Sequence, residues 1–89
     1  MKTFPLIISS PEGDLFRGDA VNLSLRGVEG DLAILAGHIP FITSVVPCDC
    51  SRELPDGEVK KGHTEGGVLT VSKDAVTLLS GTLPFKNNL

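Results

Sequence analysis

The sequence has little of what a nucleic-acid-binding protein needs. Its 89 residues include no tryptophan, no tyrosine and only 4 phenylalanines, so it lacks the aromatic platforms on which single-stranded bases stack. Its 8 basic residues are outnumbered by 11 acidic ones, which gives a net charge of −3 and no positive surplus for a phosphate backbone. These shortages exclude a nucleic-acid partner.

Long apolar runs and a targeting leader are also missing. The longest apolar stretches, residues 6–8 and 32–36, are far shorter than the roughly 20 residues of a membrane-spanning helix. Residues 1–5 carry one positive charge and no apolar core, so they do not match a secretory signal or a transit peptide. Two cysteines are too few for a disulfide framework. We therefore expect a single domain over residues 1–89 in a reducing, bacterial cytoplasmic setting.

What the sequence has in abundance is turn punctuation. Its 10 glycines and 6 prolines leave only residues 68–80 as a stretch of more than eight residues without either. Helices average about 11–12 residues and exclude proline from their interiors, so most of the chain is not helical. Residues 68–80 also fit a helical period, but a polar centre between two β-branched runs favours a hairpin. The sequence predicts an all-β fold, a small antiparallel β-sandwich of about ten short strands.

Individual strands are predicted between the turn residues. Residues 14–26 are predicted as one half-buried strand, because its apolar side chains alternate with polar ones. Pro55-Asp56-Gly57 predicts a tight turn that joins strands at 48–54 and 58–64. Further strands are predicted at residues 4–9, 31–35 and 41–46.

The motifs that suggest chemistry are weak. Residues 57–64 approach the spacing of a phosphate-binding loop, but His63 stands where that loop needs lysine, and no helix follows. Cys48 and Cys50 share one face of a predicted strand, and we interpret them as small, half-buried strand residues. A metal or redox site that uses these two thiols is a minor alternative. We expect no catalytic residue, no cofactor or metal site and no small-molecule substrate, so the chain alone is not an enzyme.

Residues 27–41 are the most informative segment. Two glycine corners flank a short apolar strand, and Gly30 and Gly37 can adopt the positive φ that stiff corners require. Such corners would project Asp31 and His38 at defined places. Surface loops fixed in this way often carry contacts with a partner.

The same segment resembles the signature G-x-E-G-x-x-x-x-x-x-G-H-x-P of the epsilon subunit of F-type ATP synthases. The resemblance continues in register through residues 10–18, 65–71 and 75–79, so it covers nearly the whole chain. It implies the family's N-terminal ten-stranded β-sandwich, in agreement with the fold predicted from the turn residues.

The resemblance also implies a function and a set of contacts. The chain would be a non-catalytic rotor subunit in the central stalk of a proton-translocating ATP synthase, and would couple proton flow to ATP synthesis. Its partners would be the gamma subunit and the c-ring, on the cytoplasmic side of a bacterial inner membrane to which it is peripheral. Ser10 and His38 would face gamma, and Asp31, at the turn after Glu29, would lie toward the c-ring.

Three features depart from the family pattern. The C-terminal helical hairpin of the family is expected to be absent, and Ala36 stands where the family usually has proline. Residues 48–53 and 63–65 are polar where the family has mostly apolar or small residues. These departures leave an alternative function open, namely a divergent epsilon-like sandwich that binds another protein partner.

Overall fold

The computed structural model describes residues 2–11, 13–37, 39–80 and 86–88, and its regular elements are all β-strands. Ten strands follow one another along the chain, which agrees with the predicted number. They are β1 (Phe4–Ser10), β2 (Gly13–Ala20), β3 (Asn22–Gly27), β4 (Gly30–Leu35), β5 (Phe41–Val45), β6 (Cys48–Glu53), β7 (Val59–Thr64), β8 (Gly67–Val71), β9 (Val76–Ser80) and β10 (Lys86–Asn88).

One curled sheet contains these strands. The order along it is β10-β7-β6-β3-β5-β8-β9-β1-β2, and β4 pairs with β3 outside that path. Hairpins join β1 to β2, β3 to β4, β6 to β7 and β8 to β9. Strand β3 changes partner along its length, because its first half pairs with β6 and its last residue with β5.

Alternate side chains of the strands meet in one core, which closes the sheet into a sandwich. Strand β1 shows the alternation, since Phe4, Leu6 and Ile8 are buried while Ile7 between them is half-buried. Full burial of one such side chain stabilises the fold by about 1.5–3 kcal/mol. The largest fully buried apolar side chains are Leu6, Ile8, Leu23, Leu69, Leu78, Val71 and Val76.

The two hairpins predicted from local signals are confirmed. Strands β8 and β9 pair antiparallel across residues 72–75, and β6 and β7 pair across the Pro55-Asp56-Gly57 turn. In that turn the Gly57 N–H donates to the Leu54 carbonyl oxygen at 2.9 Å. Local turn chemistry therefore set these two connections correctly.

The prediction of one strand over residues 14–26 is wrong. Strand β2 ends at Ala20 and β3 begins at Asn22, so the predicted strand has a break at Val21. There the Val21 N–H donates to the Glu53 carbonyl oxygen at 2.7 Å. The break is needed because β2 pairs with β1 at one end of the strand order, whereas β3 pairs with β6.

The sandwich is also not wholly antiparallel. Strands β1 and β9 pair parallel, with Leu6 opposite Val76 and Ile8 opposite Leu78. Parallel neighbours cannot be joined by a tight turn, so this pair needs a long connection. It ties the first strand of the chain to one of the last.

Glycine is required at particular corners. Gly30 and Gly37 have φ values of 128° and 85°, as the sequence predicts for the two corners. Gly66, between β7 and β8, has φ of 116°, and a Cβ atom there would lie 3.0 Å from the Val45 carbonyl oxygen. Close approach and backbone conformation together disfavour a larger residue at position 66.

Candidate docking surfaces

Glu29 and Asp31 lie at the tip of the β3–β4 hairpin. Val28 and Glu29 form the turn, and Arg26 on β3 faces Asp31 on β4. The Arg26 Nε atom donates to Asp31 Oδ1 at 2.8 Å, and both side chains are largely exposed. This hydrogen bond raises the pKa of Arg26 and fixes the direction of the Asp31 carboxylate. We call residues 26–31 the β3–β4 tip.

Several contacts fix the base of the β3–β4 tip. The Val28 N–H donates to the Ser44 carbonyl oxygen at 3.1 Å, and the Val46 N–H donates to the Arg26 carbonyl oxygen at 3.2 Å. The Cys48 thiol lies beside the backbone of the same arginine. The backbone N–H of Arg26 donates to Cys48 Sγ at 3.4 Å, and the thiol donates to the Arg26 carbonyl oxygen at 3.8 Å. The thiol therefore binds β3 where that strand changes partner from β6 to β5.

Ser10 ends β1, and its side chain is buried. Its hydroxyl donates to the Gly13 carbonyl oxygen at 3.3 Å, across the turn between β1 and β2. The structure thus places Ser10 in a different hairpin from Glu29 and Asp31. As a candidate contact, Ser10 would act through the shape of its turn.

His38, the fourth predicted contact residue, lies outside the described residues. Its neighbour Gly37 has the positive φ of a corner, and Ile39 on the other side is 80% exposed. The second glycine corner therefore presents an apolar side chain next to the predicted contact.

Apolar side chains are exposed on the outer surface of β5, β8, β9 and β1, and they were not predicted from the sequence. Ile42 is 71% exposed, while Val68 and Leu79, which face each other across β8 and β9, are 40% and 45% exposed. Ile7 on β1 is half-buried beside them. We call Ile7, Ile42, Val68 and Leu79 the apolar face. Its signal in the sequence is that neighbours such as residues 68 and 69 are both apolar, so both sides of a strand are apolar.

Strand register arranges the apolar face in two rows. Neighbouring strands lie about 4.8 Å apart, so a row across four strands spans roughly 14 Å. Serine and threonine lie between the four apolar side chains, and a cluster of exposed apolar side chains usually marks an interaction site in a soluble protein. One row contains Ser44, Val68, Leu79 and Ser9, and the other contains Ile42, Thr70, Thr77 and Ile7.

A polar network borders the apolar face at β1 and β2. Asp14 accepts a hydrogen bond from the Ser9 hydroxyl at 2.7 Å and from Arg17 Nη2 at 2.8 Å. The Ser9 hydroxyl and then the Arg17 guanidinium lower the pKa of Asp14. Arg17 lies opposite Ile7 in the β1–β2 register. An apolar centre with a polar rim is the usual anatomy of a protein interface.

The outside of β6 and β7 is polar instead. His63 on β7 lies opposite Asp49 on β6, with Nδ1 2.9 Å from Asp49 Oδ1 and Nε2 3.2 Å from Glu65 Oε1. The hydrogen bond with Asp49, followed by that with Glu65, raises the pKa of His63. Ser51 and Lys61 face each other in the same register. We call Asp49, Ser51, Lys61 and His63 the polar face.

Within the described ranges, no group of three histidine, cysteine, aspartate or glutamate side chains could hold a metal ion. No helix in the same ranges is long and apolar enough to cross a membrane. Neither cysteine forms a disulfide; Cys50 is buried in the core and Cys48 packs against it, which fits their interpretation as strand residues.

The curled sheet and its single core define a small β-sandwich domain. A family model described as the β-sandwich domain of the ATP synthase delta/epsilon chain matches residues 3–83. The ATP synthase epsilon chain of Psychrobacter cryohalolentis is 35% identical over all 89 residues, which span 64% of that relative's length. The chain belongs to the β-sandwich family of ATP synthase delta and epsilon chains.

Two solved structures share the fold. A chain in the Euglena gracilis mitochondrial ATP synthase (OSCP/F1/c-ring, rotational state 1) matches with a TM-score of 0.84 and 18% identity, over 93% of this chain and 53% of its own length. A chain in the central stalk and c-ring of the Tetrahymena thermophila mitochondrial ATP synthase matches with a TM-score of 0.74 and 13% identity, over 91% and 65%. At these identities the likeness supports the fold alone.

Proposed function

We propose that this domain is the docking domain of an ATP synthase epsilon subunit, a non-catalytic part of the central stalk. It joins the gamma subunit to the c-ring and so helps to couple proton flow to ATP synthesis. The main support for the proposal is the apolar face, because exposed apolar side chains clustered on one surface usually mark a protein interaction site. The domain is then peripheral to a bacterial inner membrane, on its cytoplasmic side, through the complex.

The apolar face suits the gamma subunit. A lasting interface buries about 1,200–2,000 Å² in total, and its centre is depleted of charged side chains. Val68, Leu79 and Ile42 provide such a centre, and Asp14 with Arg17 provides a charged rim. The turn that Ser10 closes directly follows Ser9, which belongs to one row of this face. We assign Ser10 and, by the family resemblance, His38 to the same contact.

The β3–β4 tip suits a polar loop of the c-ring. Glu29 is exposed, and the Asp31 side chain is 78% exposed even though it pairs with Arg26. Exposed carboxylates accept charge-assisted hydrogen bonds from backbone N–H groups or from cationic side chains of a partner. The tip therefore offers acceptors to the ring while the apolar face offers a packing surface to gamma.

A direct hydrogen bond links the two proposed contacts. The Val28 N–H in the tip donates to the carbonyl oxygen of Ser44, which belongs to a row of the apolar face. A rotor part that transmits torque has to keep its two contacts at a fixed separation. A continuous sheet with few flexible joints meets that need.

Binding to the gamma subunit of the same host tests the first contact. Leu79→Arg is expected to weaken binding by at least about 100-fold, because it would bury an unpaired charge at the centre of the interface. The matched control is Val59→Arg, since Val59 is a similarly exposed apolar strand residue, 52% exposed, outside the apolar face. The control should bind within about twofold of the wild type. Equal effects of the two variants would contradict the assignment.

The second contact is tested with the complex of this domain and gamma added to purified c-ring. Asp31→Lys is expected to weaken the association about tenfold, because it removes an acceptor and reverses the charge at the tip. Asp56→Lys, in the β6–β7 turn, is the charge-matched control. A folded domain that binds neither gamma nor the c-ring but captures another protein would instead support the divergent-sandwich alternative.

A further inference from the structure

We propose that Cys48 and Cys50 form a two-thiolate site for a soft monovalent metal ion, Cu(I), in a groove beside β6. The site lies next to the β3–β4 tip, because Arg26 contacts Cys48 and both Arg26 and Asp31 line the same groove, but its test does not require a docked partner. It is carried by the placement of the two thiols, by the number of ligands around them and by the groups that face Cys48.

The two thiols project from the same side of one strand. Residues two apart on a strand share a face, so Asp49 between them points to the opposite side and belongs to the polar face. Both cysteines pack against the core cluster, and both line a groove of about 800 Å³. Cys48 is only half-buried, whereas Cys50 is 4% exposed, so an ion would reach the pair past Cys48.

Their spacing favours a bridging ion over a disulfide. Cα atoms two residues apart on a strand lie about 6.6 Å from each other, near the upper end of the roughly 4.4–6.8 Å that a disulfide spans. A disulfide also draws its sulfur atoms to about 2.05 Å. An ion between two sulfurs at about 2.3 Å, the zinc–sulfur length, would leave them up to about 4.6 Å apart. Side chains that project in parallel can therefore hold an ion with less movement.

The number of ligands selects the metal. No third histidine, cysteine, aspartate or glutamate of the described chain completes a metal-binding group with these thiols, whereas a structural zinc site needs four ligands. Cu(I) is stable with two thiolates, and soft sulfur ligands select it over harder cations. Two thiols without further ligands therefore match Cu(I) better than a divalent ion.

The surroundings of Cys48 favour a metal-bound thiolate. The backbone N–H of Arg26 points at Cys48 Sγ at 3.4 Å and would donate to a bound thiolate. Hydrogen bonds of this type orient and tune sulfur ligands of metals. The proton that the Cys48 thiol now donates to the Arg26 carbonyl oxygen leaves when the ion binds. The N–H bond to sulfur then becomes charge-assisted.

The binding step balances in protons and charge. One Cu⁺ ion displaces two thiol protons and gives a dithiolate complex of charge −1, with no change in oxidation state. Because two protons leave, the apparent dissociation constant should rise about 100-fold for each unit that the pH falls, while both thiols are protonated in the free chain.

The site is tested by competition with a colorimetric Cu(I) chelator. The measurement uses the reduced full-length chain in the absence of oxygen. The wild type should hold one ion per chain, with the stated pH dependence. Cys48→Ser and Cys50→Ser should each weaken binding by at least about 100-fold. Asp49→Asn is the matched control, because it changes the residue between the thiols but not the thiols, and it should change affinity less than threefold.

Other results would overturn the proposal. Retention of the ion by the Cys48→Ser/Cys50→Ser double variant, or its loss in Asp49→Asn, would show that the thiols are not the ligands. Zn²⁺ binding as tight as that of Cu(I) would contradict a two-ligand site. Circular dichroism checks the fold of each variant, and if Cys50→Ser fails to fold, the half-buried Cys48→Ser alone decides the outcome.

Discussion

The outside of this sandwich is apolar over β5, β8, β9 and β1, and polar over β6 and β7. The two halves differ inside as well, because β8 and β9 bury Leu69 and Leu78 where β6 buries Cys50 and Arg52. The Arg52 guanidinium lies 4.4 Å from the centre of the Phe16 ring, a cation–π contact that replaces aliphatic packing in that half. One sheet therefore combines an apolar half with a more polar half.

The comparison indicates which surface meets a partner. Polar side chains on the polar face have partners within this chain, since His63 pairs with Asp49 and Glu65. Leu79 and Val68 of the apolar face have no such means of compensating their exposure to water. If the two surfaces differ as their contacts suggest, substitutions in them should have different effects on stability and on binding.

Neighbouring leucines of β9 should separate stability from docking. Leu78→Ala is expected to lower the free energy of unfolding by about 2–5 kcal/mol, because Leu78 is fully buried in the core. Leu79→Ala should lower it by less than about 1 kcal/mol, because Leu79 is already 45% exposed. Urea unfolding of both variants measures the difference. Equal losses would mean that Leu79 is not a surface residue of the isolated domain.

The corner at Gly66 should be the most sensitive connection between the polar and apolar halves. Gly66→Ala places a Cβ atom near the Val45 carbonyl oxygen at positive φ, and is expected to cost roughly 1–3 kcal/mol of stability. Gly57→Ala is the control, since φ is also positive there but no other atom lies within 4 Å. Its cost should be about 1 kcal/mol. Thermal or urea unfolding distinguishes the two, and an equal cost would remove the close approach as the cause.

The polar face should lose stability as pH rises. The pKa of His63 is raised in the folded chain by Asp49 and Glu65, so its contribution is fully present below the unfolded pKa of 6.5. That contribution disappears as pH rises through the higher folded pKa. Unfolding free energies across this pH range should show the decline in the wild type and a flatter profile in His63→Gln. A profile that the substitution leaves unchanged would contradict the role of the pair.

The rim of the apolar face should respond in the opposite direction. The pKa of Asp14 is lowered by Ser9 and Arg17, so its contribution is present above the unfolded pKa of 3.8 and lost as pH falls through the lower folded value. The effect is expected to be small because both charged partners are exposed. Asp14→Asn should flatten the acid side of the unfolding profile and leave the His63 region unchanged. A change on the alkaline side would contradict this separation.

The sequence predicted those parts of the fold that rest on local chemistry. Pro55-Asp56-Gly57 gave the β6–β7 turn, and Gly30 and Gly37 marked corners because few other residues adopt positive φ. The family signature pointed to the hairpin tip that carries Glu29 and Asp31. In each case the deciding residues lie within a few positions of one another.

Features that depend on distant strands escaped prediction. Val21 has the same spacing as Leu23 and Leu25, so the sequence includes it in the strand, and only the hydrogen bond to Glu53 shows the corner there. The Arg26 hydrogen bonds to Cys48 likewise join parts of the chain 22 positions apart. The apolar face required the registers of four strands, one of them parallel. Tertiary register, rather than local propensity, fixes these features.

The parallel pairing of β1 with β9 has a consequence for biosynthesis. Strand β1 finds one neighbour in β2 at once, but the other, around Val76, only after β9 has also left the ribosome. Until then Leu6 and Ile8 belong to an apolar segment with an unpaired strand edge, which promotes association with other nascent chains. Closure of the sandwich therefore waits for β9, and translation products that stall before β9 emerges should be efficient substrates for chaperones and proteases.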